Sequence, residues 1–296
     1  MASAKDSRSD GGRPRRRHRV AALVAAALLA IAPALLTERI PTYNPSPLAP
    51  GEWDRLASDG WRTDRVGTDD GVALAGLVRP PADRDAAWAL FLPGNGADEL
   101  RKGRDYLARL GLGPEWGLAV FALRGYDASQ GAPERDALIA DTLRVHRHLR
   151  DRWGATTSAT HLIGFSFGTG LALYLAAQLA ETGDAPPDIV LLSTEGTALR
   201  WWMRNPGIAA HWHWPDLYDV TPLLAELHMP FLIVEGSADL FGPHELRHRL
   251  GAQATYLEIP EGDHGASLQR AEAIEAVRAF LTRPGRAASH TIGLAS

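Results

Sequence analysis

The chain has 296 residues, of which 45% are hydrophobic and 22% are charged, a composition typical of globular proteins. It contains no cysteine, which excludes a disulfide framework, a thiolate zinc site and a cysteine nucleophile. The formal net charge of −4 is uneven: residues 1–19 carry seven basic and two acidic groups, so the remainder is acidic, which argues against nucleic-acid binding.

An uncharged apolar segment, residues 20–36, directly follows the basic head 1–19. This order is typical of an export signal, and the length of the apolar run is close to the ~20 residues that cross a bilayer. The pattern favours an uncleaved signal anchor, with a cleaved signal peptide as the alternative. In both cases the positive-inside rule keeps the head in the cytoplasm. The folded domain is then expected outside the cytoplasm, anchored to the membrane or, after cleavage, secreted.

Proline marks the segment between the apolar run and the folded domain. Four prolines lie between positions 41 and 50, so residues 37–60 are predicted to form an extended spacer. At the other end, residues 284–296 are small, polar and aperiodic, which predicts a flexible tail. The folded domain is therefore predicted to span residues 61–283.

Within this domain, short apolar runs alternate with amphipathic stretches. Asp69-Asp70-Gly71 lies between the first two apolar runs and predicts a β-hairpin, because Asp-Gly tolerates the positive φ of a tight turn. The predicted strands are 61–66, 72–78, 88–92, 118–123, 161–165, 188–193, 231–235 and 254–259. The predicted helices are 100–110, 134–153, 167–181, 243–250 and 267–282. This alternation predicts an α/β fold, with helices on both faces of a mostly parallel sheet that an antiparallel hairpin opens.

A candidate nucleophile lies between a predicted strand and a predicted helix. Gly164-Phe165-Ser166-Phe167-Gly168 matches the G-x-S-x-G nucleophile elbow. The glycines allow a strand to turn sharply into a helix, and the serine hydroxyl is then presented at the helix N-terminus. There the helix dipole favours developing negative charge. The five-residue pattern alone also fits a glycine-rich turn, but its strand–turn–helix context favours Ser166 as a nucleophile.

A serine nucleophile needs a base and a group that orients this base, and in this architecture an acid and then a histidine follow the serine. Asp239 follows the predicted strand 231–235, and His264 lies in a glycine-rich loop after the last strand. Strand carboxyl ends are where an α/β sheet gathers its active site. Asp263 and Glu261 are rival carboxylates, interpreted as local hydrogen-bonding partners within the histidine loop.

With these motifs, residues 61–282 resemble the serine hydrolases of the α/β-hydrolase superfamily, in the esterase- and lipase-like group with a short lid. Two further stretches carry the resemblance, Phe91-Leu92-Pro93-Gly94-Asn95-Gly96 after the third strand and Arg124-Gly125-Tyr126 with Gly131 after the fourth. The resemblance implies that the amides of Phe167 and Asn95 form an oxyanion hole, with Gly96 as the alternative second donor. Pro93 departs from the family, which usually has histidine there, but a backbone donor does not need that side chain.

Residues 195–227 interrupt the strand pattern and are predicted to form a lid over the strand ends. This insertion holds four of the nine tryptophans, Trp201, Trp202, Trp212 and Trp214. Indole rings offer a large apolar surface with a polar edge, which suits an acyl chain or a lipid interface. The alternative is that these side chains only cover the sheet.

One competing motif is His244-Glu245-Leu246-Arg247-His248, which matches the H-E-x-x-H helix of zinc proteases. In those enzymes the motif lies well inside a long helix, whereas here Gly242-Pro243 predicts a helix start directly before it. We interpret the match as an exposed helix face and predict no metal site and no cofactor.

The sequence therefore predicts a serine hydrolase that cleaves a carboxylic ester with an apolar acyl or alcohol group through an acyl-enzyme. Its expected partners are a small-molecule or lipid-like ester and, through the N-terminal segment, a membrane. Thioesterase and amidase or peptidase activities use the same residues and stay open. A non-catalytic binding protein of the same fold is the alternative from another class.

Overall fold

The computed structural model describes residues 43–83, 85–194, 223, 226–239 and 253–283. The predicted apolar segment 20–36, the tail 284–296 and nearly all of the predicted lid lie outside these residues. In the described part of the chain, no helix is both long enough and apolar enough to cross a bilayer.

The described strands form one eight-stranded sheet with the order β1-β2-β4-β3-β5-β6-β7-β8. The first two pairs, β1 with β2 and β2 with β4, are antiparallel, and all the others are parallel. The strands are β1 (Arg62–Gly67), β2 (Ala73–Arg79), β3 (Trp88–Leu92), β4 (Gly117–Phe121), β5 (Thr160–Phe165), β6 (Ile189–Leu192), β7 (Phe231–Gly236) and β8 (Ala254–Ile259). The predicted α/β class, with its antiparallel opening hairpin, is confirmed.

The central strands are apolar because both faces of the sheet are covered. Every residue of β3 to β7 is buried, whereas β8 at the edge is partly exposed. The described helices are α1 (Glu52–Arg55), α2 (Glu99–Arg109), α3 (Arg135–Trp153), α4 (Phe167–Glu181), α5 (Ala266–Gln269) and α6 (Ala271–Leu281). Leu107 of α2 and Val277 of α6 pack on one face, and Leu149 of α3 and Leu175 of α4 pack on the other.

The C-terminal helix differs from its prediction as one continuous element over 267–282. It is divided at Arg270, whose φ of −74° and ψ of 136° are extended rather than helical. The short α5 directly follows the histidine loop, and its Ser267 is fully buried.

The N-terminal part of the domain also differs from its prediction as a spacer. Residues 43–60 pack against the sheet domain, and Leu56 after α1 is 1% exposed. Asp127 donates its backbone N–H to the carbonyl of Ser46 (2.9 Å) and accepts the N–H of Leu48 (2.9 Å). Pro47 forms a parallel β-bridge with Asp127, so a proline-rich segment can pair with a neighbouring segment. The domain therefore includes the described part of the predicted spacer.

Candidate active site

Ser166 lies at a sharp turn between β5 and α4. Its φ of 51° and ψ of −119° are strained for a residue with a side chain. The backbones around it approach so closely that a Cβ on Gly168 would lie 2.0 Å from the carbonyl oxygen of Leu92. A Cβ on Gly164 would lie 2.6 Å from the carbonyl oxygen of Gly168. Both glycines of the motif are therefore required by this turn, as the sequence pattern indicated.

The imidazole of His264 lies between the hydroxyl of Ser166 and the carboxylate of Asp239. Its Nε2 is 2.8 Å from Ser166 Oγ, and its Nδ1 is 2.8 Å from Asp239 Oδ2. The Asp239 side chain is fully buried, whereas that of His264 is 32% exposed. The structure thus brings together three side chains that are 73 and 25 positions apart in the sequence.

Parallel pairing of β7 and β8 places the loop of Asp239 beside the loop of His264. Ala238 donates its backbone N–H to the carbonyl of Gly262 (2.9 Å). Gly236 permits this approach, because a Cβ there would lie 2.1 Å from the same carbonyl oxygen. The two loops are therefore held together by backbone contacts, which fixes the separation of carboxylate and imidazole.

The rival carboxylates lie elsewhere in the histidine loop. Asp263 accepts the N–H of Gly265 through its own side chain (3.1 Å), which is the local contact expected of it. Glu261 is exposed and donates its backbone N–H to the hydroxyl of Ser237 (2.8 Å). Of the three carboxylates considered from the sequence, Asp239 is therefore the one bonded to Nδ1 of the imidazole.

The two predicted oxyanion donors belong to different parts of the fold. Phe167 is the first residue of α4, and Asn95 lies in the loop between β3 and α2. In that loop, Gly94 donates its N–H to the buried carboxylate of Glu99 (3.0 Å). The N–H of Gly94 is thus directed at Glu99, and Asn95 and Gly96 are the donor candidates in this loop.

Solved structures of similar architecture include two archaeal esterases. An esterase of Pyrococcus furiosus aligns with a TM-score of 0.62 at 18% identity, covering 81% of this chain and 97% of the esterase. An esterase of Pyrobaculum calidifontis aligns with a TM-score of 0.57 at 16% identity, covering 80% and 98%. The chain has the α/β-hydrolase fold. A lidless α/β serine hydrolase of Xanthomonas campestris also shares this fold, with a TM-score of 0.52 at 20% identity over 80% of this chain and 94% of its own.

No family model matches the chain, but comparison by sequence gives further relatives. An uncharacterized protein of Mycobacterium tuberculosis is 28% identical over 231 residues, which cover 73% of this chain and 78% of that protein. A lysophosphatidylserine lipase of Danio rerio is 28% identical over 141 residues, 43% of this chain and 35% of the lipase.

Several predicted features of the α/β-hydrolase domain lie outside the described residues. These are the four lid tryptophans, Trp201, Trp202, Trp212 and Trp214, and the H-E-x-x-H stretch from His244 to His248. Among the residues that are described, no three His, Asp or Glu side chains are grouped so that they could hold a metal ion. The assignments for the lid and for residues 244–248 stay predictions.

The sequence patterns predicted no role for a buried carboxyl group that lies near Asp239. Glu235 at the end of β7 is 2% exposed, and it accepts a hydrogen bond from the hydroxyl of Tyr256 (2.9 Å). Burial, helped by the negative charge of Asp239, raises the pKa of Glu235 to about 7. Its position could have been noticed in the sequence, because Glu235 directly follows the apolar run Phe231-Leu232-Ile233-Val234 of a buried strand.

Proposed function

We propose that the chain is a serine hydrolase that cleaves carboxylic esters, with Ser166 as nucleophile, His264 as general base and acid, and Asp239 as the orienting acid. The observation that carries this proposal is the pair of 2.8 Å contacts that His264 makes with Ser166 and Asp239. A base within hydrogen-bonding reach of a hydroxyl, itself oriented by a third group, is the arrangement that activates a serine.

The reaction begins when Ser166 Oγ attacks the ester carbonyl carbon and its proton passes to His264 Nε2. The tetrahedral intermediate collapses as the bond to the alcohol oxygen breaks, and His264 returns the proton to that oxygen. Water then attacks the acyl-enzyme carbonyl as His264 Nε2 accepts its proton. The second tetrahedral intermediate collapses as the bond to Ser166 Oγ breaks, His264 returns the proton to Oγ, and the acid leaves. The buried Asp239 carboxylate accepts a hydrogen bond from the Nδ1–H of His264 throughout and stays ionised, which stabilises the imidazolium that forms twice per turnover. None of these steps calls for a cofactor.

The negative oxygen of each tetrahedral intermediate is assigned to the backbone amides of Phe167 and Asn95. The N–H of Phe167 lies at the N-terminus of α4, where the helix dipole favours an anion. Aimed at the oxyanion rather than at the ground-state carbonyl, such donors are each worth roughly 10²–10³ in kcat.

An ester with an apolar group is the substrate class that we favour. Two structural neighbours are named esterases and one distant relative is named a lysophosphatidylserine lipase, which supports ester chemistry over amide chemistry. The tryptophan-rich segment 195–227, if it forms a lid as predicted, would supply an apolar surface for an acyl chain.

The test is a hydrolysis screen of the full chain over p-nitrophenyl esters of increasing acyl length, with a thioester and an anilide series beside it. We expect activity on the esters, covalent labelling by a fluorophosphonate, and loss of both in Ser166→Ala. A purified wild-type protein that neither hydrolyses any of these compounds nor reacts with the phosphonate would favour the non-catalytic alternative.

A further inference from the structure

The N-terminal strap, defined as residues 43–48, contacts both predicted oxyanion residues. The ring of Tyr43 meets the ring of Phe167 edge to face, with 6.0 Å between their centroids and 89° between their planes. One position further on, the backbone N–H of Asn44 donates to the side-chain oxygen of Asn95 (2.9 Å). A single short segment thus contacts both α4 and the β3–α2 loop.

A closed group of hydrogen bonds joins the strap to the Asn95 loop. The N–H of Asn44 is shared between Asn95 Oδ1 and the hydroxyl oxygen of Tyr126, at 2.9 Å to each. The hydroxyl of Tyr126 in turn donates to Asn95 Oδ1. Since the Tyr126 side chain is fully buried, it gives the Asn95 side chain a fixed partner in the core.

The strap is itself held in place by two hydrogen bonds to the backbone of Asp127. The carbonyl of Ser46 and the N–H of Leu48 bond to the N–H and carbonyl of Asp127, each at 2.9 Å. The buried carboxylate of Asp127 also accepts the N–H of Leu100 at 2.7 Å, in the first turn of α2. The strap, the Asn95 loop and the start of α2 therefore form one bonded unit.

We infer that the strap is a positioning element of the oxyanion hole, which sets the separation between the amides of Phe167 and Asn95. This inference rests on the proposed function. Oxyanion donors act only at about 2.7–3.1 Å from the developing negative oxygen, so a loop free to shift by an ångström would lose much of its effect. Asn44 and Tyr126 are positioning residues in this scheme, because they act through Asn95.

The sharpest variant removes one backbone N–H. Asn44→Pro deletes the donor shared by Asn95 and Tyr126, whereas the matched control Asn44→Ala keeps it. The oxyanion donors bond to the negative oxygen of the transition state and not to the bound ester. We therefore expect Asn44→Pro to lower kcat by roughly tenfold or more while KM changes by less than about threefold. Asn44→Ala should retain wild-type kcat.

A second pair of variants leaves the backbone unchanged, in case proline prevents folding. Tyr126→Phe removes the hydroxyl that donates to Asn95, and Tyr106→Phe is the control. Tyr106 is equally buried, and its hydroxyl has no hydrogen-bond partner among the described residues. Tyr126→Phe should lower kcat, and it should weaken binding of a trifluoromethyl ketone, which forms a tetrahedral adduct with the serine, by the same factor. Tyr106→Phe should change neither, although both variants lose a buried hydroxyl.

The outcomes separate the inference from the proposed function. If wild-type hydrolysis depends on Ser166, but Asn44→Pro and Tyr126→Phe both retain the kcat of their controls, the positioning role is wrong and the function stands. The same holds if the losses appear in KM or in thermal stability and not in kcat. If no Ser166-dependent hydrolysis exists, the proposed function fails and the inference fails with it.

Discussion

Ser193 donates a hydrogen bond to the backbone carbonyl of His264 at 2.7 Å, although 71 positions separate the two residues. Ser193 directly follows β6 and has a positive φ of 47°, which turns its side chain toward the histidine loop. Its hydroxyl oxygen also lies 2.6 Å from the hydroxyl of Ser267 in α5. The loop that carries the imidazole is therefore tied to the strand between those of Ser166 and Asp239.

Removal of this contact should misplace the base. We expect Ser193→Ala to lower kcat by up to about tenfold with KM nearly unchanged, because a shift of the histidine backbone weakens proton transfer and leaves ester binding in place. Steady-state kinetics on a p-nitrophenyl ester measure the effect. Ser267→Ala, which retains the Ser193–His264 bond, should cost less, and equal kcat for Ser193→Ala and wild type would refute the positioning role.

The two neighbouring aspartates should differ in their effect on catalysis. Asp239→Asn replaces the carboxylate that accepts the hydrogen bond from Nδ1–H of His264. The imidazole then loses its preferred tautomer, and kcat should fall about a thousandfold or more. Asp263→Asn removes only a local bond to the Gly265 amide and should change kcat by roughly tenfold at most. Initial-rate assays measure kcat for both variants, with thermal unfolding as the check that each variant is folded. The reverse order of severity would mean that the orienting acid is misassigned.

Glu235 should make the stability of the protein depend on pH. Its pKa is raised by burial from 4.5 to about 7, with a smaller contribution from the charges of Asp239 and Glu258, while the hydroxyls of Tyr256 and Thr194 act in the opposite direction. The folded state therefore keeps a proton that the unfolded state releases. The contribution of this proton to the free energy of unfolding is fully present below pH 4.5 and is lost as the pH rises through 7. The loss is about 3 kcal/mol at most.

Glu235→Gln removes this dependence, since an amide cannot ionise. Urea unfolding at pH 5 and pH 8 should show the free energy of unfolding of the variant gaining on that of the wild type as the pH rises. Glu272→Gln, on an exposed position of α6, is the control. A constant difference between Glu235→Gln and wild type at the two pH values would contradict the assignment.

His146 should have the opposite effect at low pH. This α3 residue is 1% exposed, and neither ring nitrogen has a hydrogen-bond partner within the described part of the chain. Burial lowers its pKa from 6.5 to about 4, so the unfolded state takes up a proton that the folded state refuses. Stability attributable to this residue is lost as the pH falls from 6.5 toward 4. His146→Leu should reduce that loss in thermal unfolding at pH 5 against pH 7.5, and the exposed His228→Gln should not.

The N-terminal segment predicts where the protein is found. If residues 20–36 form an uncleaved anchor, the full chain should stay in the membrane fraction after alkaline carbonate extraction. A reporter fused after Ser296 should then be active only outside the cytoplasm. A mature N-terminus at Pro33 or Leu35 would replace the anchor by a cleaved signal and retain export. Reporter activity in the cytoplasm would contradict both.

The sheet and the turn around Ser166 could be predicted from the sequence, because both depend on patterns among residues close together in the chain. The apolar runs end at the strand ends, and Gly164 and Gly168 report the tight turn directly. Asp239 and His264 could be placed because each follows a predicted strand, and parallel pairing brings such positions to one edge of the sheet.

The contacts that could not be predicted join positions distant in the sequence. Proline content is the same for a free spacer and for a strap that pairs with Asp127, so composition alone could not distinguish them. The contact between Tyr43 and Phe167 depends on where α4 lies, and the roles of Ser193 and Glu235 depend on which loop their side chains meet. The division of the C-terminal helix at Arg270 was not predicted, because the apolar spacing over residues 267–282 does not mark it.

The docking of the strap moves the N-terminal boundary of the catalytic unit. A recombinant domain that begins at Trp61, where the hydrophobic pattern of the sheet starts, would lack Leu56 from its core. It would also expose the buried hydroxyl of Tyr126 and leave Asn95 without one of its donors. Such a fragment could retain its sheet and still be a poor catalyst, so fragments for crystallisation or screening should begin no later than Tyr43.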